Sequence, residues 1–427
     1  MIGKNDCLFF LKNLIYLLKK TADMKKKYTY IDIFAGCGGL SEGFNNQDFR
    51  ALTHVDNDHD SCETIKARMR FHNYKDKDIS VLEKDMTDNS IVELIEKKLD
   101  GSKIDVLLGG PPCQSFSSLG RAKDKDSMKN DTRNYLFENY KKILDHFKPK
   151  IFIFENVMGL LTAKIGNKKT IDIIFKRLGA NYNLIDDYEK LVLNSCNYGV
   201  PQIRKRVFII GVRKDISLDV KKIYQNIKKT HFNPKTLKKN RRNRKKYITV
   251  KEAIGDLPKL LPGQGIEISS FKQKKFNQYL NKIRSKKDGK LFNHVSRTHN
   301  NLDRQRFKEM SKNKWTFEEL LQKKPLLNHK KKRVFNNSYV VQEWDKPART
   351  IISHLHKDGN QFIHPDYKQE RTLTVREAAR LQSFPDNFYF AGPRTEQYKQ
   401  IGNAVPPIMS EKIAISIKKA LKVIKSV

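Results

Sequence analysis

The chain has 427 residues, 38% of them hydrophobic, enough for one large α/β domain and a smaller companion. Lys and Arg total 85 against 47 Asp and Glu, a formal net charge of +38, which predicts attraction to a polyanion, nucleic acid ahead of a membrane surface. Five scattered cysteines with no CxxC pair argue against a zinc site or a disulfide framework and suit a reducing compartment.

The first apolar stretch, "CLFFLKNLIYLL" (7–18), is interrupted by Lys12 and Asn13 and is too short to span a bilayer. No small-residue cleavage site follows it. A second methionine, Met24, stands just ahead of "KKKYTYIDIF". The working protein is expected to start near it, with residues 1–23 as an upstream extension. From 28 to 213, short apolar runs alternate with longer mixed segments. The runs are "YIDIF" (30–34), "ALTHV" (51–55), "ISVLE" (79–83), "IDVLL" (104–108), "IFIFE" (151–155) and "RVFIIGV" (206–212). Strand–helix alternation at this spacing predicts an α/β fold with a doubly wound, mainly parallel, Rossmann-like sheet. From about 214 the pattern breaks. "KKNRRNRKK" (238–246) is a charge run that reads as a solvated loop or as a phosphate-tracking segment. Residues 260–340 show weak periodicity and predict a second, irregular domain. Regular pattern returns in "LTVREAARLQSF" (373–384) and in "EKIAISIKKALKVI" (411–424), an amphipathic helix expected to pack back on the sheet.

The chemistry concentrates at the predicted strand ends, where ligands sit on such sheets. In "DIFAGCGGLSEGF" (32–44) glycines let a ligand approach the backbone, although such a turn also serves structure alone. A nicotinamide site wants G-x-G-x-x-G, and Ser41 stands where the third glycine belongs. Asp56 and Asp85 end the next two runs and suit an adenosine, one for ribose and one for the adenine amino group. "GGPPCQSFSSLG" (109–120) puts Cys113 after Pro111 and Pro112, on a stiff turn outside any ladder, where a thiolate can attack an electron-poor carbon. Glu155 and Asn156 end the following run. Glu155 suits a proton donor or hydrogen-bond partner, while the bland alternative is a first-turn charge beside an Asn cap. Gln202, Arg204 and Arg206 alternate in "GVPQIRKRVFIIG" (199–211) and at strand spacing share one face.

FAGCGGLSEGF, GGPPCQSFS, ENV, QIRKR, RTLTVREAARLQSFPD and QIGNAVPP occur in the order seen in DNA cytosine-5 methyltransferases, which this chain resembles. The motifs cover about 28–213 and 345 to the end. "TVKEAIGDLP" (249–258) looks like the lead-in to that family's variable target-recognition region. The resemblance implies an N-terminal extension (1–27), a catalytic domain (28–213), a target-recognition region (214–344) and a C-terminal segment returning to the catalytic domain (345–427). It implies S-adenosylmethionine as the methyl donor, held by Phe34, Ala35, Gly36, Gly38, Asp56, Asp85, Pro112 and the Asn403–Ala404–Val405 turn. Cys113, Glu155, Arg204 and Arg206 would be catalytic. Gln114, Ser117, Arg121, Arg133 and Gln202 would meet DNA. Cys37, in the glycine turn, is a second thiol to place. The same resemblance implies methylation of cytosine C5 in a specific double-stranded sequence, through a Cys–C6 adduct on a flipped base. It implies a cytoplasmic, nucleoid-associated monomer without a metal, protecting DNA from a cognate restriction endonuclease. A transfer-RNA methyltransferase and a non-catalytic DNA-binding homologue are the alternatives. Arg297, Asn300, Arg304 and Gln305 are polar candidates for reading the target.

Overall fold

The computed structural model describes residues 28–112, 136–234, 244–271, 277–284, 289–328 and 338–425. All six apolar runs form strands of one eight-stranded sheet. In chain order the first half contains β1 (Thr29–Ile33), α1 (Gly39–Asn45), β2 (Arg50–Asp56), α2 (His59–Phe71), β3 (Val81–Glu83), α3 (Ile91–Leu99) and β4 (Val106–Gly109). Then come α4 (Leu136–Phe147), β5 (Ile151–Val157), α5 (Thr170–Leu178), β6 (Tyr182–Asn183), β7 (Val192–Asn194) and β8 (Lys205–Arg213). The strands lie in the order β3-β2-β1-β4-β5-β8-β6, with β7 also paired to β8. The first five pair in parallel and β8 runs antiparallel to β5, β6 and β7.

Burial explains why these strands read as continuous apolar runs. Val106, Leu107 and Leu108 of β4, and Ile151 through Phe154 of β5, are wholly buried, as a sheet covered on both faces demands. The order reverses at β1, which lies between β2 and β4, so the carboxyl ends of β1 and β4 open onto a topological switch point. The glycine turn leaves β1 there, and the double proline leaves β4.

The rest of the chain wraps this sheet. Helix α6 (Val220–Asn226) and helix α7 (Val250–Ile254) place Val220, Ile223, Val250, Ala253 and Ile254 in the same core, as does the hairpin of β9 (Gly265–Ser270) and β10 (Lys290–Val295) through Leu291. A second, smaller core joins Phe307, Met310, Phe317, Leu320, Leu327, Tyr339 and Ile363. It is built on α8 (Asn301–Asn313) and α9 (Phe317–Lys323), two helices in the stretch that sequence periodicity left irregular. Their signal is at their starts rather than along their length. Asn300 caps α8, and Thr316 with Glu319 forms a capping box on α9. The same box opens α7 (Thr249, Glu252) and α10 (Val375–Leu381; Thr374, Glu377).

The C-terminal elements are α11 (Arg394–Asn403) and α12 (Pro407–Lys425). Ile413, Ile417 and Leu421 are buried as expected. Their helix reaches the sheet through intervening helices. The Ser410 hydroxyl donates to the Leu40 carbonyl of α1, and that of Ser416 to Ile223 of α6 at 2.6 Å. Gly43 makes the approach possible, because a Cβ there would collide with the Ser410–Glu411 backbone. Among the described residues no helix is long and apolar enough to cross a membrane.

Candidate active site

Parallel register lines up the functional strand ends. Ile33 lies beside both Val55 and Gly109, and Gly109 beside Phe154. The next residue on each strand is Phe34, Asp56, Gly110 and Glu155. One crevice edge therefore carries the glycine turn, two carboxylates and the start of the double-proline loop.

The glycine turn is held open by local bonds. Phe34 takes φ +56°, rare for a residue with a side chain, and Gly36 and Gly38 follow at +53° and +80°. The Gly36 amide donates to Asp56 Oδ2 at 2.7 Å, and that of Asp58 to Oδ1 at 3.0 Å, so the Asp56 carboxylate ties the tip of β2 to the turn. Burial pushes its pKa up from the ordinary carboxylate value. A Cβ at Gly36 would meet nothing within 4 Å among the described residues. Asp85 is exposed and accepts from the Thr87 amide and hydroxyl and from Asn57 Nδ2 at 3.2 Å, which join the tips of β2 and β3. Those bonds hold its carboxyl below the ordinary range.

Ser41, the misfit of the glycine pattern, has a partner that sequence reading passed over. Its hydroxyl donates to the buried carboxylate of Asp32 on β1. Desolvation raises the Asp32 pKa to about 7. Cys37 is buried, and burial pushes its thiol pKa far up, so it is inert as a nucleophile at neutral pH.

The far end of the chain packs against the start of α1. A Cβ at Gly39 would sit well inside 3 Å of the Val405 carbonyl oxygen and 3.1 Å from Ala404 Cβ. The Asn403–Ala404–Val405 turn therefore lies against the start of α1. Gln382 fixes that turn, its Nε2 donating to Ile401 O at 2.7 Å and Ala404 O at 3.4 Å. Asn403 is exposed, Ala404 half-buried and Val405 buried.

At the other side of the crevice Arg206 Nε stands 3.2 Å from Glu155 Oε1. This is an ion pair without hydrogen-bond alignment, and Glu155 Oε1 is buried with no hydrogen-bond partner among the described residues. Burial raises the Glu155 pKa, and the charges of Arg206 and Arg204 only partly offset it. Gly110 makes room for this acid, since a Cβ would lie 2.9 Å from Glu155 Oε2. Asn156 is no helix cap. Its Nδ2 donates to Pro111 O at 3.1 Å and secures the loop that leads to Cys113. Pro112 is exposed. Cys113, Gln114, Ser117, Arg121 and Arg133 lie outside the described residues.

Two expectations at the arginine motif need correction. Strand β8 starts only at Lys205, yet burial alternates through the residues before it, Gln202, Arg204 and Arg206 turning inward and Ile203 and Lys205 outward. Gln202 is fully buried, donating to Leu381 O and Gln382 Oε1 and accepting from the Ile351 amide, and is no surface contact for DNA. Arg204 is likewise wholly buried and donates to Ile351 O at 2.6 Å and Gly402 O at 2.9 Å. It braces the crevice wall, leaving Arg206 as the arginine beside Glu155. Three of the polar target-reading candidates are also engaged internally. Arg297 donates to Leu355 O and Lys357 O, Asn300 caps α8, and Arg304 pairs with Glu370. Gln305 is exposed. Among the described residues no cluster of His, Cys, Asp and Glu could hold a metal ion.

A doubly wound sheet with this strand order, a glycine turn after β1 and acids at successive strand tips defines a Rossmann-like fold. The solved structure of a prophage-encoded E. coli protein, assigned as a DNA modification methyltransferase, shares the fold at a TM-score of 0.65 and 23% identity, covering 93% of this chain and 100% of that one. The chain belongs to the C-5 cytosine-specific DNA methylases, whose family pattern matches residues 28–419, and it is a DNA cytosine-5-methyltransferase. It is 35% identical to the type II methyltransferase M.Bpa9945I of Bacillus paralicheniformis, covering 91% of this chain and 98% of the relative. It is 32% identical to M.DdeI of Desulfomicrobium norvegicum (90% and 87%) and to M1.HphI of Haemophilus parahaemolyticus (96% and 90%).

Proposed function

We propose that this methyltransferase modifies cytosine within a specific duplex sequence by a covalent route on an everted base, and that it belongs to a type II restriction-modification system. The observation that carries the reading is Glu155 Oε1, buried beside Arg206 and without a hydrogen bond among the described residues, while the neighbouring Asn156 holds Pro111, two residues before Cys113 in sequence. Cytosine C5 is too weak a nucleophile to take a methyl group unaided. The Cys113 thiolate adds at C6, and the displaced electron pair makes C5 nucleophilic. Glu155 holds N3 and offsets the charge that develops on the ring, and its raised pKa favours the protonated form that donates there. Arg206 holds the O2 edge. C5 takes the methyl group, a base removes the C5 proton, and the thiolate leaves. The base must leave the stack for C6 to be reached.

S-adenosylmethionine fits the other half of the crevice. When bound it supplies an electrophilic methyl group. Phe34, Ala35, Gly36 and Gly38 would border it, with Asp56 toward the ribose, Asp85 toward the adenine and Pro112 and the 403–405 turn closing the pocket. The lack of any described neighbour within 4 Å of a Gly36 Cβ and the exposed Asp85 support that assignment. Region 214–344 carries the target recognition, Gln114, Ser117, Arg121 and Arg133 the neighbouring DNA contacts. The enzyme acts as a cytoplasmic monomer, and its functional partner is an endonuclease cutting the same sequence.

The test uses a duplex bearing 5-fluorocytosine at the target, with the methyl donor supplied. A covalent adduct mapping to Cys113 is expected, and Cys113→Ser should bind the duplex without forming it. Absence of an adduct, or methylation of transfer RNA in place of DNA, overturns the mechanism or the substrate respectively.

A further inference from the structure

Two large apolar side chains stand exposed at the mouth of the crevice. Ile203 is 46% exposed and Met158 36%. Both are placed by the strands that hold the acid and the arginine. Arg206 of β8 pairs with Val157 of β5, so Met158 follows directly beyond that pair and Ile203 leads into it.

Ile203 is displayed rigidly. Its amide donates to Ala348 O at 2.9 Å, and its carbonyl accepts from the Thr350 hydroxyl at 2.6 Å. Its neighbours Gln202 and Arg204 are wholly buried anchors. The pinning leaves only the Ile203 side chain turned outward. A sequence this basic had polar residues available for the position, and an exposed branched aliphatic on a fixed backbone loses the benefit of burial unless something covers it. Cations flank it. Lys205, two residues on, and Arg349, on the adjoining strand-like segment, are both exposed.

Apolar carbon between cations matches a nucleotide strand. Deoxyribose carbons and base faces are its apolar surfaces, and the phosphates on either side are anions. We infer that Ile203 and Met158 form the rim that receives the target strand, packing on the sugar and base of the nucleotide delivered to Glu155 while Lys205 and Arg349 meet the flanking phosphates. The inference rests on the Glu155–Arg206 crevice being the active site.

Full-length variants test it. Ile203→Ala and Met158→Ala should each lower kcat/KM for duplex DNA about five- to tenfold, with the melting temperature and the affinity for S-adenosylmethionine unchanged. Ile203→Val should restore most of the loss. Lys205→Gln and Arg349→Gln should each reduce the slope of log affinity against log salt by about one. An Ile203→Ala enzyme with the parent's kcat/KM overturns the apolar contact, and unchanged salt slopes overturn the phosphate contacts. The 5-fluorocytosine adduct of the unsubstituted enzyme separates the two readings. If it fails to form, the catalytic assignment falls. If it forms and Ile203→Ala behaves as the parent, only the rim falls.

Discussion

Gly39→Ala tests how the two ends of the chain meet. The added methyl group would lie well inside 3 Å of Val405 O, 3.1 Å from Ala404 Cβ and 3.3 Å from Phe384 Cζ. Gly39 is the first residue of α1, where alanine relieves unfolded-state entropy and stabilises by about 0.4–1 kcal/mol. Overpacking a filled site costs about 1–3 kcal/mol, so the clash wins. The obstacle is backbone, and Gln382 clamps it through the Ile401 and Ala404 carbonyls, so it cannot swing aside as a side chain could. The net loss is about 1–2 kcal/mol, expressed where the 403–405 turn is pushed off the glycine turn. Calorimetric titration with S-adenosylmethionine should show affinity falling roughly tenfold, with a matching drop in the urea midpoint. Parental affinity and midpoint in Gly39→Ala would refute the claim that these turns are in contact.

Three further outcomes follow from the buried charges. Glu155→Gln keeps the shape but not the acid, and kcat should fall about 100-fold or more in single-turnover assays while DNA binding persists; parental turnover sinks the role of that carboxyl. Asp32 has its folded pKa raised from 3.8 to about 7 by burial. A folded value above the unfolded one means its stability contribution is complete below about pH 4 and is lost as pH rises through about 7. Asp32→Asn should therefore flatten the melting-temperature profile across that window, and an unchanged slope counts against the raised pKa. Glu377 receives two bonds of 2.7 Å from Arg371 and caps α10 through the Thr374 amide, while His364 stands 3.5 Å away. Removing one partner of such a buried pair costs about 3–5 kcal/mol, so Glu377→Gln should sharply lower the urea midpoint; a shift of under about 1 kcal/mol would show that the pair contributes little.

The sheet was legible because each strand announces itself locally. "IFIF" (151–154) is apolar and β-branched or aromatic throughout, as a doubly covered strand must be. The acid and arginine of the crevice were legible for a related reason, since a polar residue at the end of such a run has few other places to go. The roles of Gln202 and Arg204 misled because their partners lie about 150–200 residues away in segments no local pattern connects. The fate of Arg297 was hidden in the same way, its acceptors being carbonyls of residues 355 and 357. Ser41 looked like a departure from a glycine pattern because the reading ran along the chain, whereas its Asp32 partner lies back on the strand below. Helices α8 and α9 were missed by periodicity, although "TFEE" and the asparagine before α8 mark both starts.

The turn at 403–405 lies on a helix that begins at residue 39. A ribosome therefore releases the β1 turn long before the piece that covers it. Throughout most of synthesis the nascent polypeptide leaves the start of α1 uncovered, and a product cut short before residue 403 keeps Glu155 and Arg206 yet lacks that cover. An enzyme whose cover is the last piece made becomes whole only at the end of its synthesis.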